Sequence, residues 1–373
     1  MKNNPLKKLE TFGQAIWLDY IRRDLIISGE LLQLIENDGL RGMTSNPAIF
    51  QKAITESDIY DNDIRKMAFQ NKDINTIYET ISQQDVQSAA DVFRPLYEKS
   101  NGHDGYVSLE VNPHLANNTI GTIEEGRRLR IALNRPNVLI KVPATAEGLP
   151  AIRQLISEGI NVNVTLIFGL PRYRKVAEAF IEGLEDRLNQ GKSIEKIASV
   201  ASFFLSRIDT LVDPMLEKII KYDNKRKQIA EEALGEVAIS SAKAAYQIYK
   251  EVFGSVRFKK LEEKGARVQR LLWASTGNKN PDYSDVKYIE PLIGPNTVNT
   301  VPPQTIDAYR DHGDPNLTIE LGIRKSNRVL ESLPELGIDI DKVTQQLKDE
   351  GIRKFNEPFD KLIQTLANKS EKQ

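Results

Sequence analysis

Short apolar runs alternate with longer helical stretches about eight times along this chain of 373 residues. That alternation constrains the fold more than any other feature. A strand that feeds a helix and then another strand builds a parallel sheet, and eight such units favour a sheet closed into a barrel over an open one. The expected strands cover residues 15–19, 40–44, 106–111, 138–143, 162–165, 197–204, 270–275 and 297–301.

Between them the sequence predicts helices at 20–38, 122–134, 149–157 and 171–189, and helical composition over 55–100. Pro47 suits the first position of a helix that follows Ser45-Asn46. A long helical connection is expected at about 209–264, broken by the charge-rich connector 221–228, and a helical segment over 304–368 ends the chain. No fixed repeat, low-complexity stretch or linker divides it. The expected architecture is therefore α/β: one domain over residues 1–373, a (β/α)8 or TIM barrel with extra helices.

Composition removes several chemistries. The net charge of −1 gives no footprint for nucleic acid, so no such partner is expected. With no cysteine there is no disulfide, thiolate nucleophile or zinc–sulfur site, which fits a cytoplasmic protein. His103, His114 and His312 are too scattered to suggest a metal site. No apolar stretch is long enough to span a membrane, and the opening MKNNPLKKLE lacks the apolar core of a signal peptide, so neither membrane nor leader is expected.

The run Val138, Leu139, Ile140, Lys141, Val142, closed by Pro143, reads as a buried strand that carries a lysine. Side chains alternate, so Leu139 and Lys141 share one face and Ile140 and Val142 the other. Burial disfavours the charged form of an amine, and a neutral amine attacks carbonyls to form a Schiff base. The plainer alternative is a strand-end lysine that snorkels to solvent. Polar groups also stand at or near the ends of five other strands: Asp19, Asn46, Glu110, Thr165 and Ser202. Barrel active sites lie at the carboxyl ends of the strands.

In order along the chain stand Leu18-Asp19, Thr44-Ser45-Asn46-Pro47, Val107-Ser108-Leu109-Glu110-Val111 and Ile140-Lys141-Val142-Pro143-Ala144-Thr145 with Glu147-Gly148. Asn163-Val164-Thr165-Leu166-Ile167-Phe168 and Ser202-Phe203-Phe204-Leu205-Ser206-Arg207-Ile208-Asp209 follow. Leu272-Trp273-Ala274-Ser275-Thr276-Gly277 with Lys279-Asn280-Pro281, and Asn296-Thr297-Val298-Asn299-Thr300, complete the set. Through these motifs the chain, from about residue 5 to its end, resembles the long-form transaldolases.

The resemblance implies a class I, Schiff-base-forming enzyme of the pentose phosphate pathway. It would move a dihydroxyacetone unit from sedoheptulose 7-phosphate to glyceraldehyde 3-phosphate, giving erythrose 4-phosphate and fructose 6-phosphate. By resemblance Lys141 forms the iminium, Asp19 exchanges the proton at the cleaved carbon, and Glu110 with Thr165 positions a water for dehydration. Asn46 would hold the hydroxyls of the three-carbon unit. Arg207, with Ser202 donating beside it, and Lys279 would bind phosphate. Sugar phosphates are the implied partners, no cofactor is implied, and the chain is expected to be a monomer or homodimer.

Alternatives stay open on sequence alone. Arg207 could instead pair with Asp209 or a helix acid, and His114 could line the mouth or lie on the surface. Fructose 6-phosphate aldolases, similar in fold, release free dihydroxyacetone. They are shorter and carry glutamine at the place of Glu110 and tyrosine at the place of Phe204, so these residues favour transfer. A barrel that only binds would need no reactive lysine.

Overall fold

A computed structural model describes residues 4–371. Eight parallel strands close into a barrel in chain order: β1 (Gln14–Asp19), β2 (Leu40–Thr44), β3 (Tyr106–Glu110), β4 (Val138–Pro143), β5 (Val162–Ile167), β6 (Ser199–Phe204), β7 (Arg270–Ala274) and β8 (Thr297–Val301). β1 pairs with both β2 and β8, which completes the ring.

Alternation along the strands sorts the interior into layers. At the amino-terminal end the Arg270 guanidinium lies 3.0 Å from Asp104 and donates to the His103 carbonyl at 2.8 Å, a buried pair that plugs the base. Above it Trp17 fills the centre, with its ring centroid 6.5 Å from that of Tyr106. Gly42, beside Trp17 in register, makes room for the indole: a Cβ there would lie 2.5 Å from the Trp17 ring. Above the indole the interior turns polar. Ser202 Oγ donates to Asn163 Oδ1 at 2.7 Å, and Asn163 Nδ2 donates to Ser108 Oγ at 3.0 Å. The carboxyl ends carry Asp19, Thr44, Glu110, Lys141 and Thr165.

The helices depart from the sequence reading where local chemistry intervenes. The expected helix 20–38 is two, Arg23–Ile27 and Glu30–Asp38, because Gly29 adopts φ +83 between them. The helix expected from 122 starts at Thr119, since Asn118 caps it by accepting from the Gly121 N–H at 2.9 Å. Region 209–264 consists of four helices, Ser206–Tyr222, Lys227–Ala233, Val237–Phe253 and Val256–Glu262, and the first begins at Ser206, so Arg207 sits in a first helical turn. After β8 come Pro303–His312, Ile323–Ser332 and Ile340–Glu371, with an irregular stretch from Gly313 through Pro315 that ends the first of these. The long last helix packs against Pro47–Thr55 and beside β5, across the carboxyl end of the barrel.

Gly42→Ala should destabilise the fold by about 1–3 kcal/mol, the usual cost of forcing a methyl group into a filled core. Urea unfolding would show it as a lowered midpoint. An unchanged midpoint would mean that Trp17 yields without cost.

Candidate active site

Seven of the eight side chains singled out by sequence line one cavity of about 220 Å³ at the carboxyl ends of the strands: Asp19, Asn46, Lys141, Thr165, Ser202, Arg207 and Lys279. The eighth, Glu110, lies behind Lys141, with Oε2 3.6 Å from its Nζ. Strand pairing sets this contact, because Glu110 of β3 and Lys141 of β4 are register partners.

Lys141 is 5% exposed, so the snorkelling alternative does not describe it. Its Nζ donates to the Ser45 carbonyl at 3.1 Å. Its other neighbour is the Phe355 ring, with the centroid 5.4 Å away. Gly148, which opens the helix after the β4 loop, is held so close that a Cβ would meet the Pro143 carbonyl oxygen at 2.0 Å. Thr145 Oγ1 accepts from the Gly148 N–H at 2.8 Å and ties that loop into the start of helix Gly148–Glu158.

Glu110 is buried, and neither carboxyl oxygen has a hydrogen-bond partner among the described residues. Burial pushes its carboxyl up to about 7, and the Lys141 ammonium only partly opposes that rise. Thr165 is also buried with Oγ1 unpartnered. The next residue, Leu166, takes φ +59 where the β5–β6 register slips, a bulge that sets how Thr165 meets the cavity.

Asp19 is half-buried and accepts from Thr44 Oγ1 at 2.9 Å; Thr44 in turn stands 3.0 Å from Thr300 Oγ1. The neighbouring strands on both sides thus brace the carboxylate. Asn46 caps helix Pro47–Thr55 through Oδ1, which accepts from the Ile49 N–H at 3.0 Å, leaving its Nδ2 hydrogens for the cavity.

The open question at Arg207 resolves against a pair with Asp209. Asp209 turns the other way, accepting from the Ala238 N–H and the Tyr288 hydroxyl at 2.8 Å each. The Arg207 guanidinium stacks 5.4 Å from the Phe204 ring centroid, and its buried Nη1 has no partner among the described residues. Burial draws its pKa below the usual value, with Asp19 and Glu350 opposing. An unpaired, desolvated fork is suited to an anion. Lys279 stands at the exposed rim beside Gly277.

One expectation needs correction and one alternative is decided. Ser202 is not free to donate to a ligand, because its proton goes to Asn163 and only its lone pairs face outward. Of the two alternatives for His114 the surface one holds: it is half exposed, outside the cavity lining, with Nε2 2.8 Å from Asp360 of the last helix. Sequence reasoning also missed Thr44, Ser275, Thr300, Gln304 and Phe355 on the wall. The threonines and Ser275 were visible at strand ends, whereas nothing near Phe355 marked it.

A larger cavity of about 680 Å³ lies on the flank, near Arg22, Asp24, Asp38 and Arg310. Its two arginines are already matched, Arg22 to Asp24 and Arg310 to Asp38. Among the described residues no three His, Asp or Glu side chains gather to hold a metal.

Comparisons with known proteins show the family of the chain. The profile of the family described as Transaldolase/Fructose-6-phosphate aldolase matches residues 16–366. A transaldolase of Trichodesmium erythraeum (strain IMS101) is 50% identical over 376 residues, covering 100% of this chain and 99% of the relative. Transaldolase 2 of Nostoc sp. (strain PCC 7120) is 48% identical over 376 residues, covering 99% and 98%. A transaldolase of Saccharopolyspora erythraea is 44% identical over 365 residues, covering 98% and 97%.

The raised Glu110 carboxyl carries a stability signature. Between the usual value of 4.5 and about 7 the folded chain keeps a proton that the unfolded chain has released. The contribution of this group is therefore most favourable below that window and is lost as pH rises through it, at up to about 1.4 kcal/mol per pH unit. Glu110→Gln should remove that slope from urea unfolding measured across the window. Parallel profiles for the two proteins would show that Glu110 titrates as an ordinary carboxylate.

Proposed function

The chain belongs to the transaldolase/fructose-6-phosphate aldolase family, and from that premise we propose that Lys141 is its Schiff-base nucleophile. Its activity is that of a transaldolase of the pentose phosphate pathway. It transfers a dihydroxyacetone unit from sedoheptulose 7-phosphate to glyceraldehyde 3-phosphate and yields erythrose 4-phosphate and fructose 6-phosphate. The observation that carries the site reading is Lys141 itself, a lysine 5% exposed with its nitrogen turned into a cavity at the strand ends.

In this reading the Lys141 amine adds to the ketose carbonyl. Loss of water from the carbinolamine gives an iminium, which accepts the electrons of the adjacent C–C bond as that bond breaks. Glu110 and Thr165 serve dehydration by holding a water between them, a role supported by their unpartnered buried oxygens. A carboxyl near 7 both gives and takes a proton at neutral pH. Asp19, braced by Thr44, takes the proton from the hydroxyl at the cleaved carbon and returns it to the acceptor aldehyde. Asn46 Nδ2 donates to the hydroxyls of the three-carbon unit, and Ser202 accepts from them. Arg207 and Lys279 take the phosphate, with Lys279 at the rim acting as a long-range charge. Retention of Glu110 and Phe204 favours transfer over release of free dihydroxyacetone. We further propose a cytoplasmic monomer or homodimer with no nucleic-acid partner, a reading supported by the net charge of −1 and the lack of cysteine. No described helix is long and apolar enough to cross a membrane.

Borohydride reduction with fructose 6-phosphate, followed by intact mass and peptide mapping, tests the two central roles together. The wild type should be trapped at Lys141, and Lys141→Ala should not be trapped at all. Asp19→Asn should accumulate an adduct carrying the whole six-carbon sugar. Trapping on another lysine would overturn the first assignment, and a three-carbon adduct in Asp19→Asn would overturn the second.

Arg207→Ala should raise KM for fructose 6-phosphate on the order of a hundredfold, since a charge-assisted contact is worth up to about 3 kcal/mol. KM for unphosphorylated fructose should change little. Equal losses on both sugars would mean that Arg207 shapes the cavity and does not read phosphate.

A further inference from the structure

One wall of the cavity comes from outside the barrel units. Phe355 alone among the lining residues belongs to the last helix, Ile340–Glu371. It is 4% exposed, and its ring centroid is 5.4 Å from Lys141 Nζ. Two polar groups also stand near this amine, the Ser45 carbonyl and the Glu110 carboxyl.

The ring is held in place. One turn further on, Phe359 meets Tyr78 edge-on at 5.3 Å, and Tyr78 meets Phe50 at 6.3 Å. His114, on the loop after β3, lies 5.8 Å from the Phe359 ring and 2.8 Å from Asp360. One turn before Phe355, Gly351 lies so close to β5 that a Cβ would come within 2.9 Å of Leu166. The helix is thus fastened on both sides of Phe355.

We propose that Phe355 determines specificity by deciding between transfer and hydrolysis, a proposal that rests on Lys141 being the Schiff-base lysine. After the C–C bond breaks, the three-carbon unit remains on Lys141 as an enamine. In transfer, its nucleophilic carbon attacks the acceptor aldehyde, whose oxygen takes a proton from Asp19; water then adds to the iminium carbon of the longer sugar, the C–N bond breaks, and the ketose leaves with the lysine amine restored. In hydrolysis, that carbon takes a proton, water adds to the resulting iminium carbon, the C–N bond breaks, and dihydroxyacetone leaves with the lysine amine restored. Hydrolysis of an iminium ends both routes, so they part at the enamine carbon, which in the second route must take a proton from water or another donor beside it. A phenyl ring supplies neither and occupies the space where water would stand. A bare barrel mouth leaves that approach open, and the last helix closes it with an apolar face.

The experiment measures free dihydroxyacetone released per transfer event, with fructose 6-phosphate as donor and erythrose 4-phosphate as acceptor. Phe355→Ala should raise this ratio on the order of tenfold, equivalent to about 1.4 kcal/mol of lost discrimination. Phe355→Leu, which keeps an apolar filling, should raise it less and guards against a folding defect. Phe359→Leu loosens the same helix without facing the cavity and should leave the ratio unchanged. An unchanged ratio in both Phe355 variants, with borohydride trapping at Lys141 intact, overturns the proposal alone. An equal rise in Phe359→Leu also overturns it, since the effect would then belong to helix packing. If the wild type is not trapped at Lys141, the site reading fails first.

Discussion

The Glu110–Lys141 contact is the constraint around which the upper barrel is arranged. Two ionisable side chains, 3% and 6% exposed, face each other across adjacent strands at 3.6 Å. At that distance each has lost most of its water without gaining a short hydrogen bond. Desolvation of such a pair commonly outweighs its attraction, and an apolar pair of similar volume would hold a barrel together better. Its presence is therefore explained by chemistry and not by stability. In the proposed mechanism the pair sets a carboxyl that changes charge near neutrality beside an amine that must lose its proton before it can attack.

The rest of the interior accommodates this pair by grading from base to mouth. At the base, Arg270 and Asp104 are matched, and Trp17 excludes water from the centre. In the middle, Ser108, Asn163 and Ser202 satisfy one another through two hydrogen bonds. At the mouth, the Glu110 oxygens, Thr165 Oγ1 and Arg207 Nη1 are buried without partners among the described residues. Buried polar atoms are normally satisfied, and in the proposed mechanism substrate and water complete the bonding of these four, whereas Trp17 Nε1 and Asn299 Oδ1 are likewise unpartnered elsewhere in the barrel. The rigid layers beneath keep these groups from collapsing onto each other.

Much of this was legible in sequence because a barrel strand states its own geometry. An apolar run with one lysine fixed β4, its alternation fixed which face Lys141 takes, and position at a strand end placed Asp19 and Glu110 at the mouth. What could not be read depends on contacts between distant segments. Whether Arg207 pairs with Asp209 is undecidable from spacing; it is settled by the Ala238 amide, within the helical connection, and the Tyr288 hydroxyl, beyond it, which claim the aspartate. Ser202 reads as a donor until Asn163, on the neighbouring strand, takes its proton. The break at Gly29 and the cap at Asn118 were local signals, and boundary errors there did not move a site residue.

Phe355 shows the same limit from the other side. Phe355, Phe359, Leu362 and Leu366 recur at helical spacing, and all four are buried, so the pattern reads as an ordinary core-facing stripe. Three of them are part of that stripe and nothing more is needed to explain them. Phe355 differs only because the stripe runs past the edge of the helical layer and over the open end of the barrel. A (β/α)8 barrel closes its base with side chains but must leave its mouth accessible to substrate. Water therefore reaches the reactive end by default, and a group transfer that competes with hydrolysis needs a cover from outside the eight repeating units. The helix after the last unit can supply that cover without displacing a strand or its loop. It follows that the residue closest to the amine from above carries no strand-end signature, however directly it bears on the chemistry.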